Sequence, residues 1–228
     1  MKPNNNKCVL LFSGGRDSTL AAVKLAQTYS ELILVTITSE HLYGIETVHN
    51  RLKELQNVLP KNTKWLRIKQ PTNLCTDVSF YAPTCLPCHH SYVAIGTLIA
   101  EANACSNIAF GYTGYQATWP EQTKLAIDKL SQLLKPYGIN LILPVYEIND
   151  IEIVKSELSK LSLSSDSLEQ KCSKQITNIE LPASILIKEI DLWINAMSQT
   201  FSMRSKIELS IIEQHLFKDV ISPKTVGG

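Results

Sequence analysis

The chain is 228 residues long, 44% hydrophobic and 19% charged, with a formal net charge of +1. That length suffices for one α/β domain with a sizeable core and an appendage, and the balance excludes a disordered chain or a strongly basic surface, so composition does not support a nucleic-acid partner. No apolar stretch approaches a membrane span, and Met1-Lys2-Pro3-Asn4-Asn5-Asn6 runs into a short strand rather than a signal sequence; a cytoplasmic protein with no membrane partner is expected.

In chain order, Val9-Leu10-Leu11-Phe12 predicts a first strand from Cys8 to Phe12, and Thr19 to Val23 lies in a predicted helix from Ser18 to Thr28. Between them stands Ser13-Gly14-Gly15-Arg16-Asp17-Ser18. A glycine-rich turn there presents backbone N–H groups and a helix N-terminus to a phosphate. A Walker loop needs Lys after its last Gly, whereas Arg16 and Asp17 follow here, so kinase and GTPase readings fall away.

Further strands are predicted at Leu32 to Thr38, Trp65 to Ile68, Asn107 to Phe110 and Leu141 to Leu143. Helices are predicted at Thr47 to Val58, His90 to Ala104, Pro120 to Leu134 and Asp150 to Leu161. Pro120 with Glu121 suits a first helical turn, and Asn149-Asp150 supplies a cap. The alternation predicts an α/β fold with a doubly wound, mostly parallel sheet, and ligands beyond the carboxyl ends of its strands. From Pro182 to Phe217 the sequence is mostly helix-compatible, which divides the chain into a domain over residues 1–175 and a helical C-terminal extension with a flexible tail over 176–228. Ile185, Ile187, Ile190, Leu192, Ile194 and Trp193 either pack on the sheet, the favoured role, or form a homodimer surface.

The cysteines form a second constellation. Cys85-Leu86-Pro87-Cys88 is followed by His89-His90, and Cys172 stands in a later loop. Two cysteines three apart at a helix start are able to aim at one ion, and a third thiolate closes the site. Zinc on Cys85, Cys88 and Cys172 with His89, His90 or water is one expectation; a three-cysteine iron–sulfur cluster and a persulfide on Cys172 are the others. Cys8, Cys75 and Cys105 read as structural, and His41, His49 and His215 as polar surface residues.

The Ser13–Ser18 stretch with its strand and helix resembles the pyrophosphate loop of the N-type ATP pyrophosphatases. That resemblance implies an adenine nucleotide alpha hydrolase-like (PP-loop) fold, with ATP and Mg²⁺ brought to an acceptor oxygen, AMP transferred, pyrophosphate released, and AMP then expelled by nitrogen or sulfur. Gly111-Tyr-Thr-Gly-Tyr-Gln-Ala-Thr-Trp-Pro-Glu121 resembles a segment of the 7-cyano-7-deazaguanine synthases, with Tyr112, Gly114, Tyr115, Pro120 and Glu121 matching outright. Those enzymes activate the carboxylate of a 7-deazaguanine and convert it through an amide to a nitrile. Cys172 falls where they place the first cysteine of a zinc site, but their terminal cysteine cluster is missing, and Ala117 and Trp119 replace an Asp and an Arg. Cys85-x-x-Cys88 with a distant third cysteine instead looks like the cluster-dependent tRNA thiolation enzymes of the same superfamily, whose Gly-His-x-x-Asp-Asp segment is absent here.

The roles implied are specific. Ser13, Gly14, Gly15 and Ser18 are expected to hold the pyrophosphate part of ATP, Arg16 to offset its charge and Asp17 to orient Mg²⁺, with Asp17, Ser18 and Arg16 the candidate catalytic residues. Thr36 and Thr38 at a strand end are expected at the adenine or ribose. Tyr112, Tyr115 and Trp119 would stack a base-like small molecule, with Glu121 beside them; a macromolecular acceptor carrying such a base is also compatible. The leading expectation is an ATP-dependent C–N ligase acting on a deazaguanine. Sulfur transfer to a tRNA or nucleobase is the alternative, followed by a non-catalytic nucleotide-binding module with a protein partner.

Overall fold

A computed structural model describes residues 6–71, 74, 84–174 and 179–219. Cys75, the tail from residue 220 and the expected boundary at 175 lie outside the described residues. The first half alternates β1 (Lys7–Leu11), α1 (Arg16–Ala26), β2 (Glu31–Thr38), the short β3 (Leu42–Tyr43), α2 (Ile45–Leu55) and β4 (Lys64–Lys69). The second half continues through α3 (Leu86–Ala102), β5 (Asn107–Phe110), α4 (Lys124–Leu134), β6 (Asn140–Ile142), α5 (Ile151–Lys160), β7 (Lys171–Cys172), α6 (Ala183–Ser202) and β8 (Ser210–Leu216).

The main sheet runs β6-β5-β1-β2-β4-β8, parallel throughout except for β8, which pairs antiparallel with β4. It is the doubly wound α/β fold expected of an adenine nucleotide alpha hydrolase-like chain. The inner strands are buried on both faces, as their unbroken apolar runs require. One face packs on α1, α2 and α5 through Leu20, Val48, Leu52, Val154 and Leu158; the other packs on α3, α4 and α6 through Val93, Ile99, Leu130, Trp193 and Phe201. Chain order reverses at β1, between β2 on one side and β5 on the other, so the loops leaving β1 and β5 part and open a crevice at the carboxyl edge.

Two segments depart from expectation. The helix expected from Pro120 begins only at Lys124, because Thr123 is extended (φ −64°, ψ 150°) and caps α4 by accepting from the Ala126 N–H at 3.3 Å; Pro120–Gln122 forms a separate 3₁₀ turn. The helical run expected to reach Phe217 stops at Ser202, and residues 210–216 become β8. On α6, Ile190 and Trp193 enter the core while Ile187 and Leu192 stay exposed. Asp150 caps α5 as expected, accepting from the Glu152 N–H at 2.9 Å.

Candidate functional site

The turn after β1 is tied internally before any ligand arrives. Ser13 Oγ accepts from the Gly15 N–H at 3.1 Å and lies 3.1 Å from Ser18 Oγ; the Ser18 and Thr19 hydroxyls donate to the Gly15 carbonyl at 3.1 and 2.7 Å. Gly15 precedes α1 with no side chain capping the helix, so its first-turn N–H groups remain for an anion. The end of β5 presses on this start: a Cβ on Gly111 would lie 2.6 Å from the Ser18 nitrogen.

The crevice is a cleft of about 420 Å³. Ser13, Gly15, Arg16, Asp17 and Ser18 line it together with Thr36, His89, Tyr112 and Trp119, so most residues expected at the site do meet in one space. Asp17 is half-buried; burial raises its carboxyl, opposed by the Tyr115 hydroxyl that donates to Oδ1 and by Arg16. The Thr36 hydroxyl is already committed, donating to the Phe12 carbonyl at 2.7 Å and accepting from Trp65 Nε1 at 2.9 Å. Thr38 does not line the cleft, and its hydroxyl donates to Gln170 Oε1 at 2.6 Å. Tyr115 does not line it either: its hydroxyl serves Asp17.

Sequence reasoning missed the strap from Ser164 to Gln170. Arg51, fully buried on α2, donates to the carbonyls of Ser164 (2.9 Å), Asp166 (2.6 Å) and Gly14 (3.3 Å) and pairs with Glu54, clamping strap and glycine turn together. This brings Glu169 over the turn, with Oε2 3.3 Å from Ser13 Oγ. Arg51 carries no local signal beyond being an arginine on an otherwise amphipathic helix.

The thiol constellation assembles only in part. Burial pushes the Cys85 thiol up to about 12, with the charges of Glu121, Cys88 and Cys172 adding to the effect. The three thiols thus feel one another's charge, yet among the described residues no three His, Cys, Asp or Glu side chains are grouped to hold a metal ion. The donor chemistry suits zinc or an iron–sulfur cluster; the placement among the described residues does not. His89, expected as a ligand, turns away instead: Nδ1 lies 2.6 Å from the Tyr112 hydroxyl and Nε2 3.7 Å from Glu121 Oε1. The imidazole beside the thiols is His41, 3.4 Å from Cys88 Sγ and held by Ser39. Nor are His49 and His215 bare surface groups, since both flank Trp65 and contact Glu213.

No family model and no curated protein matches the chain. Among solved structures it is similar over 91% of its length to the U34-tRNA thiolase NcsA from Methanococcus maripaludis with its [4Fe-4S] cluster, at 17% identity and TM-score 0.55, covering 74% of that chain. It is also similar over 91% of its length to a 4-thiouridine synthetase in complex with RNA and ATP, at 18% identity and TM-score 0.57. The chain spans 55% of that synthetase's length. At these identities the likeness is one of fold. No helix among the described residues is long and apolar enough to cross a membrane.

Proposed function

We propose that the chain is an ATP-dependent enzyme that adenylates a carboxylate or carbonyl oxygen, releases pyrophosphate, and lets a nitrogen nucleophile displace AMP. The observation that carries this reading is the cleft itself, where an uncapped glycine turn and Asp17 share one space with Tyr112, Trp119 and His89. The first-turn N–H groups of α1 and the Ser13 and Ser18 hydroxyls hold the pyrophosphate portion of ATP, and Arg16 offsets its charge. Asp17 is the residue that would hold Mg²⁺, which when bound neutralises the phosphates. The walls at Trp119, Tyr92 and Phe110 accept a planar ring, for which a 7-deazaguanine carboxylate is the leading candidate.

Mass spectrometry of a reaction containing ATP, ammonia and 7-carboxy-7-deazaguanine tests it. AMP and pyrophosphate with an adenylate, amide or nitrile are expected; ADP and phosphate would overturn the mechanism.

Sulfur transfer to a nucleobase is the second reading, supported by the Cys88–His41 contact and by Cys85, Cys88 and Cys172 lying within one another's electrostatic influence. Anaerobic purification with iron and labile-sulfide analysis decides between them: brown, iron-containing protein favours sulfur transfer.

A further inference from the structure

We infer that Gln170 reads the base of the bound nucleotide and selects adenine over a 6-oxopurine, a specificity that deepens the adenylation reading and rests on its ATP site. Thr38, expected beside the base, does not line the cleft; its hydroxyl donates to Gln170 Oε1 at 2.6 Å, and Gln170 does line the cleft. Gln170 Nε2 in turn donates to the Ile37 carbonyl at 2.8 Å. Val35 and Ile37 on β2 and Leu42 on β3 also line the cleft. Those apolar side chains suit the faces of a ring, whereas a carboxamide suits its polar edge.

The chain is held on both sides of Gln170. Before it, the Thr47 hydroxyl donates to the Glu169 carbonyl at 3.1 Å, and buried Arg51 holds the carbonyls of Ser164 and Asp166. After it, Lys171 and Cys172 form β7, paired antiparallel with Tyr43 and Leu42 of β3. With the side chain itself tied to β2, a ligand meets a carboxamide already in place and loses little affinity to ordering it.

The orientation of the carboxamide follows from one partner. A backbone carbonyl accepts and never donates, so Ile37 fixes the nitrogen on its side; a carboxamide turned over would set oxygen against oxygen. This decides which purine is read, because a freely turning glutamine suits either kind. A carboxamide carries two N–H groups and two oxygen lone pairs, and each bond to β2 uses one of them. The second N–H and the second lone pair make a donor and an acceptor in fixed order. The oxygen accepts from the 6-amino group of adenine, and the N–H donates to the neighbouring ring nitrogen. In a 6-oxopurine, position 6 accepts instead of donating, and the turned-over carboxamide that would match it is opposed by the Ile37 carbonyl.

Equilibrium titration of the full chain with ATP and with ITP, which differ only in the 6-substituent and the N1 proton, tests this. The wild type is expected to prefer ATP by about ten- to a hundredfold, the discrimination of one bidentate contact. In Gln170→Leu the preference should shrink to within about threefold, while affinity for inorganic pyrophosphate, which has no base, stays at the wild-type value. Thr38→Val removes one of the two bonds that hold the carboxamide and should narrow the preference several-fold; a merely structural role for Thr38 would weaken ATP and ITP alike. Equal wild-type affinity for ATP and ITP, or the full preference kept in Gln170→Leu, overturns the assignment and leaves the adenylation reading standing. Pyrophosphate affinity lost in Gln170→Leu in step with ATP affinity gives Gln170 a structural role and overturns it as well. A wild-type protein that binds neither nucleotide overturns the ATP reading, and the role of Gln170 with it.

Discussion

Gly14 takes a backbone φ of +85°, and a Cβ there would lie 2.6 Å from the Leu168 carbonyl oxygen. Alanine therefore meets both the left-handed penalty and a backbone clash, and Gly14→Ala is expected to cost about 2 kcal/mol, a fall in Tm on the order of 4–8 °C by calorimetry. Glu169 makes a different demand. Its carboxylate hangs over the turn proposed to hold phosphate, so Glu169→Gln is expected to tighten ATP binding several-fold, by roughly 1 kcal/mol, more at low salt. Titration calorimetry checks this, and weaker binding would show instead that Glu169 helps to hold a cation. At this scale the glycine turn was legible because its chemistry is local. The roles of the histidines were not: His89 and His90 adjoin in sequence, but about 100° of helix separates them, and one meets the cleft while the other meets α6. His41 reaches Cys88 only through the fold.

The joint between α3 and α6 holds a titratable group. His90 is buried, with Nε2 2.7 Å from Thr200 Oγ1, and desolvation pushes it down to about 4 from 6.5. The unfolded chain binds this proton at higher pH than the folded one. Stability from this site is therefore full above about pH 6.5, declines as pH falls from there towards 4, and levels off below, a loss of about 3 kcal/mol at most. His90→Gln should flatten that part of the stability–pH curve, measured by denaturant unfolding at each pH. Among the elements, the inner strands were legible as continuous apolar runs. β8 was not, because Ser210-Ile-Ile-Glu-Gln-His-Leu216 is an edge strand, mostly exposed at its start and without clean alternation. Its register is set from outside, by Trp65 opposite His215 and Arg67 opposite Glu213.

For the molecule as a whole, the C-terminal segment belongs to the main sheet. β8 covers the edge of β4, and Phe217 is buried while its N–H donates to the Thr63 carbonyl at 2.9 Å. A chain ending at Lys206 would leave Trp65 and the β4 edge uncovered. It is expected to melt at a lower temperature than the full chain, followed by circular dichroism. The overall architecture was readable from the alternation of strand and helix, and the carboxyl-edge crevice expected from topology is where the cleft opens. The strap held by Arg51 was not readable, since its contacts span more than a hundred residues of sequence. The Tyr115–Asp17 bond has a thermodynamic corollary. Tyr115 lies in the Gly114–Gln116 turn, docked on the Ile148 carbonyl, yet its hydroxyl fixes the Asp17 carboxylate at the start of α1, where ATP is proposed to bind. An acceptor that shifts this turn alters nucleotide affinity by some factor, and reciprocity obliges nucleotide to alter acceptor affinity by that same factor. On the proposed function the two ligands of the cleft share one coupling constant, which sets by how much the acceptor's arrival changes ATP occupancy.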